Sequence, residues 1–274
     1  MSASSNDRYA VFGHPVSHSK SPAIHKLFAQ QFDFEIDYQA IDIEPGKFAE
    51  TVLAFREQGG KGCNVTIPYK QEAWELATER SGRAELAGAV NTLKFEPENR
   101  ILGDNTDGIG LLRDITINLD QPLYSKRVLV IGAGGAVRGI LGSLLEQAPK
   151  SLVLANRTVS RAEELATIFA TIGPVTPCGF DALGNQQFDV VINGTSASLG
   201  GELPPLPEKL FTADSLAYDL MYSDQPTIFM QWALAQGATR IADGLGMLVE
   251  QAAESFDIWF GLQPSTAPVI ASLR

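Results

Sequence analysis

The sequence predicts an α/β protein of two domains, each a largely parallel sheet flanked by helices, the second doubly wound. Three observations predict it. At roughly 150 residues per domain, 274 residues make about two. Short β-like runs alternate with helical stretches along nearly the whole chain, which is the pattern of a parallel sheet. In the second half the strand-like runs are continuously apolar, as in Arg127–Ile131, so both faces of that sheet are covered.

Tyr9–Phe12 reads as the first strand and Pro22–Phe32 as a helix. Ile36, Tyr38 and Ala40 alternate within a strand over Glu35–Ile43, and a helix over Lys47–Gln58 stops at Gly59-Gly60-Lys61-Gly62. Cys63–Ile67 is a strand ended by Pro68, followed by a helix over Lys70–Ala77. The turn-rich segment Gly103–Gly108 breaks the pattern, and a helix from Gly108 to Leu119 leads into the second series. There, strands are expected at Arg127–Ile131, Leu152–Ala155, Phe188–Ile192, Ser215–Leu220 and Thr239–Ala242. Helices are expected at Ala136–Glu146, Arg161–Ala170 and Leu245–Phe260.

Lys plus Arg number 21 and Asp plus Glu 32, a net charge of −11 with no basic run. That balance argues against a nucleic acid or an anionic membrane as partner, since both need phosphates neutralised by a basic face. Small anions remain open, because a few local cations suffice for them. Cys63 and Cys178 are too few and too far apart for a disulfide scaffold, which suits reduced thiols in the cytoplasm. Met1–Arg8 lacks the basic and apolar regions of a secretory signal and reads as a short disordered lead-in; no apolar run approaches the roughly 18 residues of a membrane span.

Gly132-Ala133-Gly134-Gly135-Ala136 follows the Arg127–Ile131 strand and opens a helix. A turn without side chains lets a pyrophosphate reach backbone N–H groups at a helix N-terminus. Val137 occupies the third glycine of the strict dinucleotide pattern. At the end of the next strand, where NAD-binding units carry an Asp or Glu, stand Asn156-Arg157-Thr158, with Arg161 following. A carboxylate would repel a ribose 2′-phosphate, whereas Arg157 and Arg161 offer it charged forks and Asn156 and Thr158 neutral donors, so the reading favours NADP.

In the first half, Ser21 stands before Pro22 as an N-cap, and with Ser19 it offers hydroxyls to an anion at a helix start. Period-2 geometry places Asn64 and Thr66 on one strand face, opposite Val65 and Ile67, with Lys70 beyond the strand end. Asp107 lies in the Asp104–Gly108 turn, where backbone reasons alone would favour it. His14, His18 and His25 lack companions for a metal.

These segments occur in order with Ala87–Thr92 and Asp243-Gly-Leu-Gly-Met247, and over Tyr9 to Trp259 the chain resembles shikimate dehydrogenases. The resemblance implies reversible NADPH-dependent reduction of 3-dehydroshikimate to shikimate, on the chorismate pathway to aromatic amino acids. It implies a substrate domain over 1–107 completed by about 245–274, a Rossmann-like NADP domain over 108–244, and an active site in the crevice between them. Ser19 and Ser21 would hold the carboxylate; Asn64, Thr66, Asn91 and Asp107 the ring hydroxyls; Tyr222 and Gln251 would also touch substrate; Lys70 would be the acid/base group, with Asp107 beside it. Leu220 and Gly244 would line the nicotinamide, while Gly132 to Ala136 and Asn156, Arg157, Thr158 and Arg161 would hold the rest of NADP. A monomer or homodimer is expected. His14, where relatives often have Asn, and Leu220-Met221-Tyr222, where Met-Phe-Tyr is common, depart mildly from the pattern. Two other readings stand beside it: an NAD-using quinate/shikimate dehydrogenase, and a non-catalytic NADP-binding regulatory homologue.

Overall fold

The computed structural model describes residues 7–195, 197 and 202–274; most of the expected N-terminal lead-in, residues 1–6, lies outside them. The chain divides into two compact units, Met1–Gly110 with Val249–Arg274, and Leu111–Leu248.

The first unit carries β1 (Arg8–Gly13), α1 (Ser21–Gln30), β2 (Asp37–Asp42), α2 (Phe48–Glu57), β3 (Gly60–Val65), α3 (Lys70–Leu76), β4 (Glu79–Arg80), α4 (Gly82–Ala87), β5 (Thr92–Phe95) and β6 (Ile101–Asp104). Its sheet runs β2-β1-β3-β5-β6-β4. β1 pairs parallel with β2 and β3, but β5 is antiparallel to both β3 and β6. The alternating pattern missed this hairpin because β5 and β6 are only four residues each, and the link between them turns through Glu98 and Asn99, both at positive φ.

Period-2 alternation explains β1, whose Ala10 and Phe12 pack with Phe48, Phe55 and Leu93 while Tyr9 and Val11 meet Val16, Tyr38 and Trp259. With both faces covered, β1 can be apolar from Tyr9 to Phe12. Gly59, at φ +94°, ends α2, but Gly60 and Gly62 belong to β3 rather than to a helix stop. A Cβ on Gly60 would lie 2.4 Å from the Phe55 ring, and one on Gly62 2.5 Å from the Trp259 indole, so aromatic packing against this strand requires glycine. β3 ends at Val65, so Ile67 does not join Val65 in the core; it is 74% exposed.

The second unit contains β7 (Arg127–Ile131), α6 (Gly135–Glu146), β8 (Ser151–Ala155), α7 (Val159–Ile168), β9 (Thr176–Cys178), β10 (Phe188–Asn193), β11 (Phe211–Asp219), α8 (Ile228–Ala235) and β12 (Arg240–Ala242). All pairs in the sheet, ordered β12-β11-β10-β7-β8-β9, are parallel. β9 and α8 had no clear sequence signal: β9 holds three residues including Pro177, and α8 is apolar almost all round. The helix expected over 108–119 is two pieces, α5 (Asp107–Arg113) and a π-helical turn, Asp114–Asn118. Asp114 is buried there, accepting from the Tyr218 hydroxyl at 2.6 Å and from Asn118 Nδ2 at 3.0 Å, a polar anchor that no periodicity reveals. Residues of α9 (Leu245–Phe260) fall in both units, and α10 (Ala267–Leu273) closes the first.

Candidate active site

In the first unit, the C-terminal ends of β1 and β3 meet: the amide of His14 donates to the Ile67 carbonyl at 3.0 Å, and that of Thr66 to Phe12 at 2.8 Å. Cis peptide bonds precede both Pro15 and Pro68. Asp42, ending β2, holds the first of these loops through His14 Nδ1 at 2.6 Å and the Val16 amide at 3.0 Å, and these contacts lower the pKa of its carboxyl. Thr66 packs its methyl where a Gly13 side chain would stand, 2.5 Å away.

Lys20, not Ser21, is the N-cap of α1; Ser21 is the first helical residue and makes no side-chain cap. The Ser21 amide instead donates to Ser19 Oγ at 3.2 Å. The reversal follows from Pro22, which sits comfortably one residue inside the helix. Ser19 is half-buried and Ser21 is buried at the helix start.

Lys70 opens α3 and Asp107 opens α5, and Lys70 Nζ donates to Asp107 Oδ2 at 2.5 Å. The other carboxylate oxygen, Oδ1, accepts from Asn91 Nδ2 at 2.8 Å, and the Asn105 side-chain oxygen takes the Asp107 amide at 3.2 Å. Asp107 is therefore fixed from three sides. Gln251, on α9, reaches the same cluster: its Oε1 lies 3.4 Å from Asn91 Nδ2 and 3.3 Å from Thr106 Oγ1. Gly110 makes room for it, because a Cβ there would fall 2.6 Å from that of Gln251. Lys70, Asn91, Asp107 and Gln251 are thus brought together, and Asn64 adjoins them through the Asn91 carbonyl at 3.2 Å. Sequence reasoning missed Thr106 and the fully buried Ser255, whose hydroxyl contacts Thr92 at 2.8 Å and Thr106 at 3.4 Å. Ser255 lies one helical turn after Gln251, and that spacing was the available signal.

In the second unit, Gly132 takes φ +103°, a conformation strained for other residues, and turns the chain from β7 into α6. Nothing lies within 4 Å of a Cβ built on Gly134 or Gly135, and α6 has neither a side-chain cap nor an acidic residue in its first turn. Open space before uncapped N–H groups, with Ala133 and Ala136 the only side chains in Gly132–Ala136, fits a pyrophosphate. The space taken up by Val137 is recovered across the sheet, where a Cβ on Gly194 would lie 2.3 Å from Val137 Cγ2. At the end of β8, Asn156 Nδ2 donates to the Thr158 carbonyl at 2.8 Å, while Arg157, Thr158 and Arg161 are exposed. Gly244 is required by the Leu220 backbone, whose carbonyl oxygen would be 2.2 Å from its Cβ. Tyr222, on the same loop after β11, is half-buried, and that burial raises its pKa. Two residues unforeseen from sequence brace these loops: buried Asp219 accepts from Asn193 Nδ2 at 3.1 Å, the Met221 amide at 3.1 Å and Thr227 Oγ1 at 2.6 Å. Each is a polar residue closing an apolar parallel strand, which was their only mark in the sequence.

Among the described residues no group of His, Cys, Asp and Glu could hold a metal, and no helix is long and apolar enough to cross a membrane. Both cysteines are free.

A parallel sheet with a glycine turn at a helix start in one unit, and a lysine–aspartate pair in a polar wall in the other, define an α/β oxidoreductase of the dinucleotide-binding class. Family models match residues 11–93 as a shikimate dehydrogenase substrate binding domain, 115–200 as shikimate / quinate 5-dehydrogenase, and 244–274 as a shikimate 5'-dehydrogenase C-terminal domain. A shikimate dehydrogenase (NADP(+)) of Alkalilimnicola ehrlichii is 57% identical over 98% of either chain. The structure of an Ael1 enzyme from Pseudomonas putida superposes with a TM-score of 0.93 at 50% identity, over 97% of this chain and 98% of that one. That of a Thermus thermophilus shikimate 5-dehydrogenase, in complex with NADP(H) and shikimate, gives 0.85 at 33% identity over 97% of each. The chain belongs to the shikimate dehydrogenase family.

Proposed function

We propose that this protein reduces 3-dehydroshikimate to shikimate reversibly with NADPH, on the route to chorismate and the aromatic amino acids. The observation that carries the reading is the Lys70–Asp107 contact of 2.5 Å inside a wall of amides and hydroxyls. NADPH, when bound, supplies the hydride for the C3 carbonyl carbon. Lys70 Nζ delivers a proton to the C3 oxygen as that oxygen becomes an alkoxide, and takes it back in the oxidative direction. Asp107 orients the ammonium and accepts from the neighbouring hydroxyl; Asn91 in turn holds Asp107. Ser19 and Ser21 receive the carboxylate, Thr66, Asn91 and Asp107 the ring hydroxyls, and Tyr222 and Gln251 further contacts. Gly132 to Ala136 receive the pyrophosphate, Asn156, Arg157, Thr158 and Arg161 the 2′-phosphate, and Leu220 and Gly244 the nicotinamide.

On this reading the first unit is the substrate domain and the second the NADP domain. The charge of −11 supports small-molecule partners rather than nucleic acid or a membrane, and the two free cysteines suit the cytoplasm. The protein works as a monomer or homodimer. Initial rates followed at the nicotinamide absorbance test the whole: turnover of shikimate with NADP is expected, far above that of quinate with NAD. Preference for the second pair, or no turnover with either, would overturn the reading.

A further inference from the structure

Beside the Lys70–Asp107 pair lies a layer of buried polar side chains centred on a residue that the family resemblance assigns to a substrate hydroxyl. Its centre is Asn64, 6% exposed and bonded within the protein at both ends of its carboxamide. Oδ1 accepts from the Tyr38 hydroxyl at 2.7 Å and from His25 Nε2 at 3.1 Å. Nδ2 faces the Asn91 carbonyl at 3.2 Å, Thr92 Oγ1 at 3.1 Å and Ser255 Oγ at 3.0 Å. A backbone carbonyl can only accept, so the amide nitrogen must be the end that meets Asn91, and the oxygen the end that meets Tyr38 and His25. His25 must then carry its proton on Nε2, which agrees with a buried Nδ1 that has no partner. Two lone pairs meet two donors, and two N–H groups are shared among three acceptors. No hydrogen-bonding capacity is left for a ligand.

The supports of Asn64 are themselves held. His25 is fully buried, stacked on Tyr38 with ring centroids 4.4 Å apart and 12° between planes, and Phe28, Phe256 and Trp259 surround it. On the far side, Ser255 passes the constraint to Thr106, and Thr106 and Gln251 converge on the Asn91 amide that donates to Asp107.

We propose that Asn64 is a positioning residue and not a substrate ligand: clamped by Tyr38 and His25, it fixes the Asn91 backbone and the Ser255 hydroxyl, and through them the carboxylate that orients Lys70. The inference deepens the shikimate reading and rests on it.

The test measures kcat/KM for Asn64→Ala, Tyr38→Phe and the double variant, with shikimate and with analogues lacking the C4 or the C5 hydroxyl. Asn64→Ala is expected to lose about 10–100-fold, by the same factor on all three substrates, because no single hydroxyl is its partner. Tyr38→Phe keeps the ring on His25 and removes the donor to Asn64 together with a contact to Ser21; it is expected to lose about 3–10-fold alone and clearly less in the Asn64→Ala background. NADP affinity should not move. An Asn64→Ala penalty that disappears with one deoxy analogue would make Asn64 a ligand and overturn the inference. A Tyr38→Phe loss undiminished by Asn64→Ala would do the same. Should Asn64→Ala not fold, Asn64→Ser takes its place in the same cycle and is judged by the same outcomes. Absence of shikimate turnover by the unaltered chain would instead overturn the functional reading, and this inference with it.

Discussion

Lys70 and Asp107 each open a short helix, and neither is remarkable by type or by neighbours in the chain. What sets them apart is a 2.5 Å contact, with the remaining carboxylate oxygen of Asp107 held by Asn91. A positioned general acid typically contributes about 10²–10⁴-fold to rate, so Lys70→Ala should lower kcat within that range while KM for shikimate changes less than tenfold. A steady-state measurement showing near-normal kcat would remove Lys70 from the chemistry. His25 illustrates the opposite case, a titratable group kept neutral. Burial lowers its pKa from an ordinary 6.5 to about 3. The unfolded chain gains this proton as pH falls through roughly 6.5, the folded chain only near 3, so the associated stability is complete above the first value and drains below it. The slope is at most about 1.4 kcal/mol per pH unit. Urea unfolding between about pH 6 and 4 should therefore show a shallower decline for His25→Gln than for the unaltered protein, and equal slopes would contradict the assignment.

At the scale of elements, the β7–α6 turn and the end of β8 do separate jobs. The turn presents open backbone N–H groups through Gly134 and Gly135, and the β8 end presents two exposed guanidinium groups with no carboxylate from Asn156 to Arg161. Arg157→Asp puts a negative charge where a 2′-phosphate is expected, so the NADP/NAD ratio of kcat/KM should fall by at least tenfold, with KM for shikimate unchanged. An unaltered ratio would show that discrimination is made elsewhere. The same elements mark how far the chain could be read. β7 and α9 were legible at their bounds because their periodicity is clean: a five-residue apolar run and a long amphipathic helix. β9, α8 and the β5–β6 hairpin were not, being too short, too evenly apolar or antiparallel within a parallel pattern. The π-helical turn at Asp114 depends on a tyrosine 104 positions away, which no local window contains.

Considered as a whole, the molecule assembles its first unit from two stretches of sequence, Met1–Gly110 and Val249–Arg274. The second stretch is structural cement as well as a supplier of site residues. Trp259 donates to the Leu93 carbonyl at 3.0 Å and lies 4.9 Å from the Tyr9 ring, while Arg83 joins Asp104 at 2.7 Å and Glu254 at 2.8 Å. Trp259→Ala should destabilise this unit by about 3–5 kcal/mol, the usual cost of emptying a large aromatic site. Thermal unfolding would show it as a lower Tm; a loss below about 1 kcal/mol would mean that the core closes around the vacancy.

The sequence by itself determined the architecture, the glycine turn and the absence of an acidic residue after β8, because periodicity, glycine's conformational freedom and charge are local properties written residue by residue. It also named Lys70 and Asp107 from their places at a strand end and in a turn, and Asn91 and Gln251 through a resemblance, but only as separate points. Only tertiary structure decided that these four converge, that Ser19 rather than Ser21 takes the α1 amide, that Ile67 is exposed, and that Asn64 is bonded to the protein on every side. The physical reason is that hydrogen-bond saturation and close approach are pairwise properties. Asn64 and Ser255 stand 191 positions apart in the chain and 3.0 Å apart in the fold, and a linear string carries no term for that distance.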